Sequence, residues 1–138
     1  MAQANPSASI HTFEGSAAIA AIAHENFEAL KARNITIVEG NIDEKLGPLL
    51  EQVSQVDLAY MDANHRYEPT LRYFEQLLPH LHQKSIVVVD DIHWSAEMNR
   101  AWQVLKDRSE VSLSLDLFEG GILFFDPALQ KEHYVLAF

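Results

Sequence analysis

Seven polar residues fall where chemistry is expected: Glu14, Asn41, Asp62, His65, Asp90, Asp91 and His93. Each follows closely on a short apolar or β-branched run that reads as a strand. A carboxylate such as Glu14 accepts hydrogen bonds from both hydroxyls of a ribose, the usual duty of an acid after an early strand of an open α/β sheet. Asn41 offers a donor and an acceptor together, which suits the edge of a purine ring. For both residues the alternative is a helix cap, because a helical segment begins just downstream. Asp62, Asp90 and Asp91 meet if their strands are neighbours, and like charges held close either raise one pKa or recruit a cation. Oxygen ligands of this kind suit Mg²⁺, Ca²⁺ or Mn²⁺; the alternative is one capping carboxylate and two solvated ones. His65 and His93, a few residues from these acids, have the chemistry of a base or a ligand. His24, His80, His82 and His133 fit no such pattern.

The elements that must position these residues alternate along the chain. Ser9–Phe13 reads as a strand, followed at Ala17–Ala32 by a helical stretch with Ile19, Ile22, Ala23, Phe27 and Leu30 on one face. Ile35–Glu39 is β-branched and stops at Gly40-Asn41, after which Asp43–Val53 carries Leu46, Leu49, Leu50 and Val53 as a helical stripe. Val56–Met61 is the next strand, ended by Asp62. Pro69 suits a first helical turn, and the helix it opens should bury Leu71, Phe74, Leu77, Leu78 and Leu81. Ile86–Val89 is a continuous apolar run, as in a parallel strand covered on both faces. Ser95 is a natural N-cap for a helix burying Met98, Ala101, Trp102 and Leu105. Val111–Phe118 and Ile122–Phe125, joined through Glu119-Gly120-Gly121, form a hairpin, and Tyr134–Phe138 a last strand. The expected fold class is α/β: a mostly parallel sheet with helices on both faces and an antiparallel C-terminal hairpin, formed by residues 1–138 as a single domain. In such sheets ligands bind beyond the carboxyl ends of the strands, where the acids lie.

Composition narrows the partners. The chain has 138 residues, 48% of them hydrophobic, and a formal net charge of −10. That charge disfavours nucleic acid and anionic membrane surfaces, both of which select for excess Lys and Arg. Without cysteine there are no disulfides, thiolate zinc sites or cysteine nucleophiles. The first basic residue is Lys31, so no charged leader is expected, and no apolar run is long enough for a membrane span. A cytoplasmic location is the expectation.

The segment Val56-Asp57-Leu58-Ala59-Tyr60-Met61-Asp62-Ala63-Asn64-His65-Arg66-Tyr67-Glu68, together with Ser85-Ile86-Val87-Val88-Val89-Asp90-Asp91-Ile92-His93-Trp94, resembles the class I S-adenosylmethionine-dependent methyltransferases that carry a D-x-x-H-x-Y segment and a later D-D pair, relatives of the small-molecule O-methyltransferases. The resemblance runs from about Ser9 to Phe125. It implies a Rossmann-like fold and methyl transfer to a small-molecule acceptor. It implies that Glu14 and Gly15 hold the cofactor ribose, that Asn41 lies by the adenine, and that Asp62 sits near the methyl group or binds Mg²⁺ or Mn²⁺ with Asp90 and Asp91. Methyl transfer is a direct displacement that needs alignment and removal of a proton, for which His65 is suited.

One departure stands against the match. The family's first strand ends in a glycine-rich loop, whereas Gly15, Gly40, Gly47, Gly120 and Gly121 form no Gly-x-Gly between a strand and a helix. Met1–Ala8 is too short for a strand, loop and helix, so the chain reads as N-terminally shortened, with the usual first strand missing and about half the expected cofactor contacts absent. The strands flanking that gap are expected to pair with each other or with another chain, as in a homodimer. The alternatives are a non-catalytic binding or oligomerisation module, and a metal-dependent enzyme of another reaction type.

Overall fold

The computed structural model describes residues 1–136, which divide into two compact units, Met1–Glu51 and the remainder from Gln52. In the first unit, β1 (Ile10–Glu14) and β2 (Ile35–Glu39) pair in parallel, Ile10 opposite Ile35 and Glu14 opposite Glu39. The helix α1 (Ala17–Ala29) connects them, and α2 (Ile42–Leu50) follows β2. Leu46 and Leu50 of α2 are buried, as their spacing requires. In α1 the buried residue is Ala20, while Ile19, Ile22 and Leu30 lie exposed, contrary to the expected apolar face. The reason is local: with alanines at 17, 18, 20, 21 and 23, apolar residues surround the first turns of α1 and periodicity marks no single direction.

The second unit is a five-stranded mixed sheet in the order β3-β4-β6-β5-β7. Its strands are β3 (Val56–Met61), β4 (Leu81–Asp90), β5 (Leu113–Asp116), β6 (Gly120–Phe124) and β7 (Glu132–Val135). β3 runs parallel to β4 and β7 parallel to β5, whereas β6 is antiparallel to both of its neighbours. The helices α3 (Tyr67–Leu77) and α4 (Ala96–Asp107) supply the cover. Their buried faces match the spacing in the sequence: Phe74 and Leu77 from α3, and Met98, Ala101, Trp102 and Leu105 from α4, closing over Val87, Val89 and Leu123. Ser95 caps α4 through its hydroxyl, which accepts the Met98 amide at 3.1 Å.

Several boundaries differ from expectation: α1 and α2 stop at Ala29 and Leu50, β5 is confined to Leu113–Asp116, and β6 takes in Gly120 and Gly121 from the expected turn. β4 starts five residues before the apolar run, because Ser85 donates to the Val56 carbonyl and holds the polar lead-in against β3. The last strand begins at Glu132, two residues early; of the expected Tyr134–Phe138, residues 137 and 138 lie outside the described ones. Among the described residues β3 bonds to β4 alone, which leaves its other edge unpaired, and Leu58 and Tyr60 of β3 are exposed.

Candidate functional site

In the first unit the chain leaves β1 and β2 side by side. The Gly40 amide donates to the Glu14 carbonyl at 2.9 Å, and a side chain on Gly15 would meet only the Gly40 carbonyl, at 4.0 Å. Gly40 has φ +118, a conformation that suits glycine, and it releases the chain from β2 into α2. Glu14 accepts the Ser16 amide at 2.8 Å through Oε1, and Asn41 accepts the Asp43 amide at 3.0 Å through Oδ1. Asn41 is therefore the N-cap of α2, the alternative weighed for it from the sequence, whereas Glu14 braces the turn before α1 and Ser16 is that helix's N-cap. These bonds engage one oxygen of Glu14 and leave its second oxygen, and the Asn41 amide group, at the carboxyl ends of paired strands. Gly15, Glu14 and Asn41 are thus brought together by the β1–β2 register.

In the second unit Asp62 follows β3 directly, and the chain turns sharply through Asn64 (φ 63) and His65 (φ 39), two successive non-glycine residues in the left-handed region. The Asn64 side chain donates to the Tyr73 hydroxyl, and the His65 amide to the Ala63 carbonyl at 2.9 Å, which together hold the turn. The outcome is that His65 Nε2 lies 3.0 Å from Asp62 Oδ1 and 3.7 Å from Asp91 Oδ2. That nitrogen is shielded from solvent yet lacks an aligned hydrogen-bond partner, so it faces two carboxylates without being committed to either. Asp91 is itself left-handed (φ 53). Left-handed non-glycine residues are held only where surrounding structure fixes them, and such places are often functional.

Asp90 joins this group through Tyr60. Partial desolvation and the Asp90 carboxylate, which accepts the phenol's hydrogen bond, hold the Tyr60 pKa above its ordinary value, with Asp62 and Asp91 adding to the effect. Asp62, His65, Asp90 and Asp91 therefore share one rim. They do not fit a metal ion: among the described residues no three acid or histidine side chains are arranged to hold one. The expected grouping of acids is present, and the expected ligand geometry of Asp62, Asp90 and Asp91 is not.

His93 lies elsewhere in the same loop, with Nε2 2.8 Å from Asp116 Oδ2 and Nδ1 2.9 Å from the Asn99 amide nitrogen. Asp116 is 5% exposed. Burial pushes its carboxyl pKa up, but the Phe118 amide and His93 outweigh that and hold it below the usual value. Sequence reasoning passed over Tyr60, Asn99 and Asp116. Only Asp116 gave a signal, as a charged residue ending an alternating strand.

A family model described as a methyltransferase domain matches residues 1–92. No curated protein sequence matches the chain. Solved structures do, over most of its length. A protein from Klebsiella pneumoniae assigned as an O-methyltransferase superposes with a TM-score of 0.77 at 16% identity, covering 91% of this chain and 66% of its own. The methyltransferase PaMTH1 of Podospora anserina, solved with SAH, gives 0.70 at 19%, with 86% and 61% covered. The O-methyltransferase TomG of Streptomyces achromogenes, solved with SAM, gives 0.68 at 20%, with 88% and 64% covered. The chain thus spans about two-thirds or less of the length of these proteins, and shares their α/β, Rossmann-like fold with a mixed sheet.

Proposed function

Because the chain belongs to the methyltransferase-domain family, we propose that it serves the transfer of a methyl group from S-adenosylmethionine to a small-molecule acceptor. The observation that carries the proposal is His65, held by a left-handed turn with Nε2 3.0 Å from Asp62 and 3.7 Å from Asp91. A neutral imidazole so placed takes a proton from an acceptor hydroxyl, and the two carboxylates stabilise the imidazolium that results. When bound, S-adenosylmethionine supplies an electrophilic methyl carbon on a sulfonium.

In the first unit, Glu14 and Asn41 have the donors and acceptors that an adenosine asks for: a carboxylate oxygen for the ribose hydroxyls, and an amide for the purine edge. Gly15 leaves the backbone beside them uncovered. Within the second unit, Asp62 supports His65 with its negative charge. Asp90 and Asp91 orient Tyr60 and His65. The proposal places the reaction in the cytoplasm, with neither nucleic acid nor membrane as partner, in keeping with the acidic, cysteine-free sequence. Among the described residues no helix is long and apolar enough to cross a membrane.

Titration calorimetry with S-adenosylhomocysteine tests the reading. We expect saturable binding, weakened about tenfold or more by Glu14→Ala, in line with the loss of a charge-assisted hydrogen bond. A folded protein that takes up neither S-adenosylhomocysteine nor S-adenosylmethionine removes the proposal. A second reading, a non-catalytic module that binds another copy of itself, is favoured by the open edge of β3, where Leu58 is 45% exposed. A concentration-dependent dimer without cofactor binding would select it.

A further inference from the structure

Two aromatic side chains stand out from the surface at the carboxyl end of the second sheet. Trp94 is 75% and Phe118 73% exposed, among the most exposed large apolar residues of the molecule. Phe118 is also left-handed, with φ 72, which is unfavourable for an aromatic residue and is kept here by the turn that joins β5 to β6. In that turn the Leu117 amide donates to the Gly120 carbonyl, and the buried Asp116 accepts the Phe118 amide at 2.9 Å. The His93 ring stacks on Phe118 with centroids 5.5 Å apart and planes 29° from parallel.

His93 is fixed at both nitrogens. Asn99 donates to Nδ1, which assigns the proton to Nε2 and directs it to Asp116. The imidazole therefore cannot rotate away without breaking both bonds. Trp94 is held one residue further on, its amide donating to the Asp91 carbonyl at 3.0 Å. The His93 and Phe118 rings are thus set in advance, and Trp94 follows His93 directly in the loop between β4 and α4; rings held before a ligand arrives are what a recognition surface needs.

We propose that Trp94, Phe118 and His93 form a docking platform for a flat aromatic acceptor that carries a protonated amine and no carboxylate or phosphate. The charge class follows from what borders the platform. Asp90 pairs with Gly120 in the β4–β6 ladder, and its Oδ1 lies 3.8 Å from where a Gly120 side chain would begin, so the turn bearing Phe118 adjoins the acidic rim. Glu119 lies in the same turn, exposed. Exposed aromatic faces beside carboxylates attract an ammonium through both the ring quadrupole and direct charge, and repel an anion. Calling the ligand an acceptor rests on the methyl-transfer proposal; its binding does not.

The test uses a matched pair of probes, tyramine and 4-hydroxyphenylacetate, which share a phenol and differ in the charge of the tail. Each is titrated into the full chain without cofactor, following the indole N–H of Trp94 by NMR against that of the buried Trp102. Tyramine is expected to shift Trp94 saturably, with at least tenfold tighter binding than the acid, while Trp102 stays still. Trp94→Ala and Phe118→Gly are each expected to weaken tyramine at least tenfold without lowering thermal stability, glycine being suited to φ 72. No saturable response to either probe, equal affinity for both, or unchanged binding in the two variants would overturn the platform. Tyramine binding in a protein that ignores S-adenosylhomocysteine sinks methyl transfer alone; the converse result sinks the platform alone.

Discussion

His65 and Asp116 show how much of the candidate site depends on single side chains. In the methyl-transfer proposal His65 takes the proton, so His65→Ala should lower turnover by roughly 10²–10⁴-fold, the usual span for a general base. Binding of S-adenosylhomocysteine, measured by calorimetry, should be unchanged. Asp116 carries a prediction about acid. Its folded pKa lies below its ordinary 3.8, so its stabilising effect is fully present above that value and is lost as pH falls through the folded one. At neutral pH Asp116→Asn should lose about 1–3 kcal/mol, the cost of a buried charge-assisted bond, and the difference in melting temperature from the native chain should close below pH 3.8. A gap that stays constant across that range would remove the assignment. At this scale the sequence told where the acids at the ends of β3 and β4 fall, because strand ends are legible. It could not tell that Asn64 and His65 both turn left-handed, since that conformation is fixed by Tyr73, nine residues along from Asn64. Between a cap and a ligand contact at Asn41 the sequence could not choose, and the structure shows the cap.

At the scale of elements, the amphipathic helices were the easiest to read. The buried set of α4 coincides with its apolar stripe because charged residues mark its outer side. The alanine-rich start of α1 lacks such marks, and its isoleucines ended up exposed. β5 is instructive in the other direction. Ser114 and Asp116 are its buried residues while Leu113 and Leu115 are only half-buried, and the buried polar groups are satisfied by His133 and His93. A period of two marks the alternation of faces, and in β5 the buried face is the polar one. The packing of α4 on β6 has no slack at Gly121, where an added side chain would begin 2.5 Å from the Trp102 ring. Gly121→Ala should therefore cost about 1–3 kcal/mol or more and lower the melting temperature by several degrees, as thermal denaturation would show. Wild-type stability in that variant would rule out the close packing of Trp102 on Gly121.

For the whole molecule, the expected α/β class was legible from strand–helix alternation, and the mixed sheet agrees with it. Strand order was legible in part: the β5–β6 hairpin was read from its turn, whereas the pairing of β6 with β4 is encoded by no local pattern. Of the two outcomes weighed for the strands at Ser9–Phe13 and Val56–Met61, direct pairing is not seen among the described residues, where β1 bonds to β2 and β3 to β4. A bare edge with Leu58 and Tyr60 exposed beside it invites pairing. We expect the protein to self-associate at micromolar concentrations and Leu58→Lys to keep it monomeric, as sedimentation would reveal. A wild-type monomer at all accessible concentrations would dismiss that expectation.

The tail beyond β6 has its own fastening. The Lys131 ammonium donates to the carbonyls of Lys106, Arg108 and Val111, where α4 ends and the chain enters β5. Those carbonyls lie at or just past a helix terminus, where peptide dipoles leave residual negative charge. One flexible side chain thus plays the part that a bound potassium or sodium ion plays at other helix ends. Acylating that amine would discharge the clasp, stranding the carbonyls and loosening β7 from the sheet while the helices kept their places.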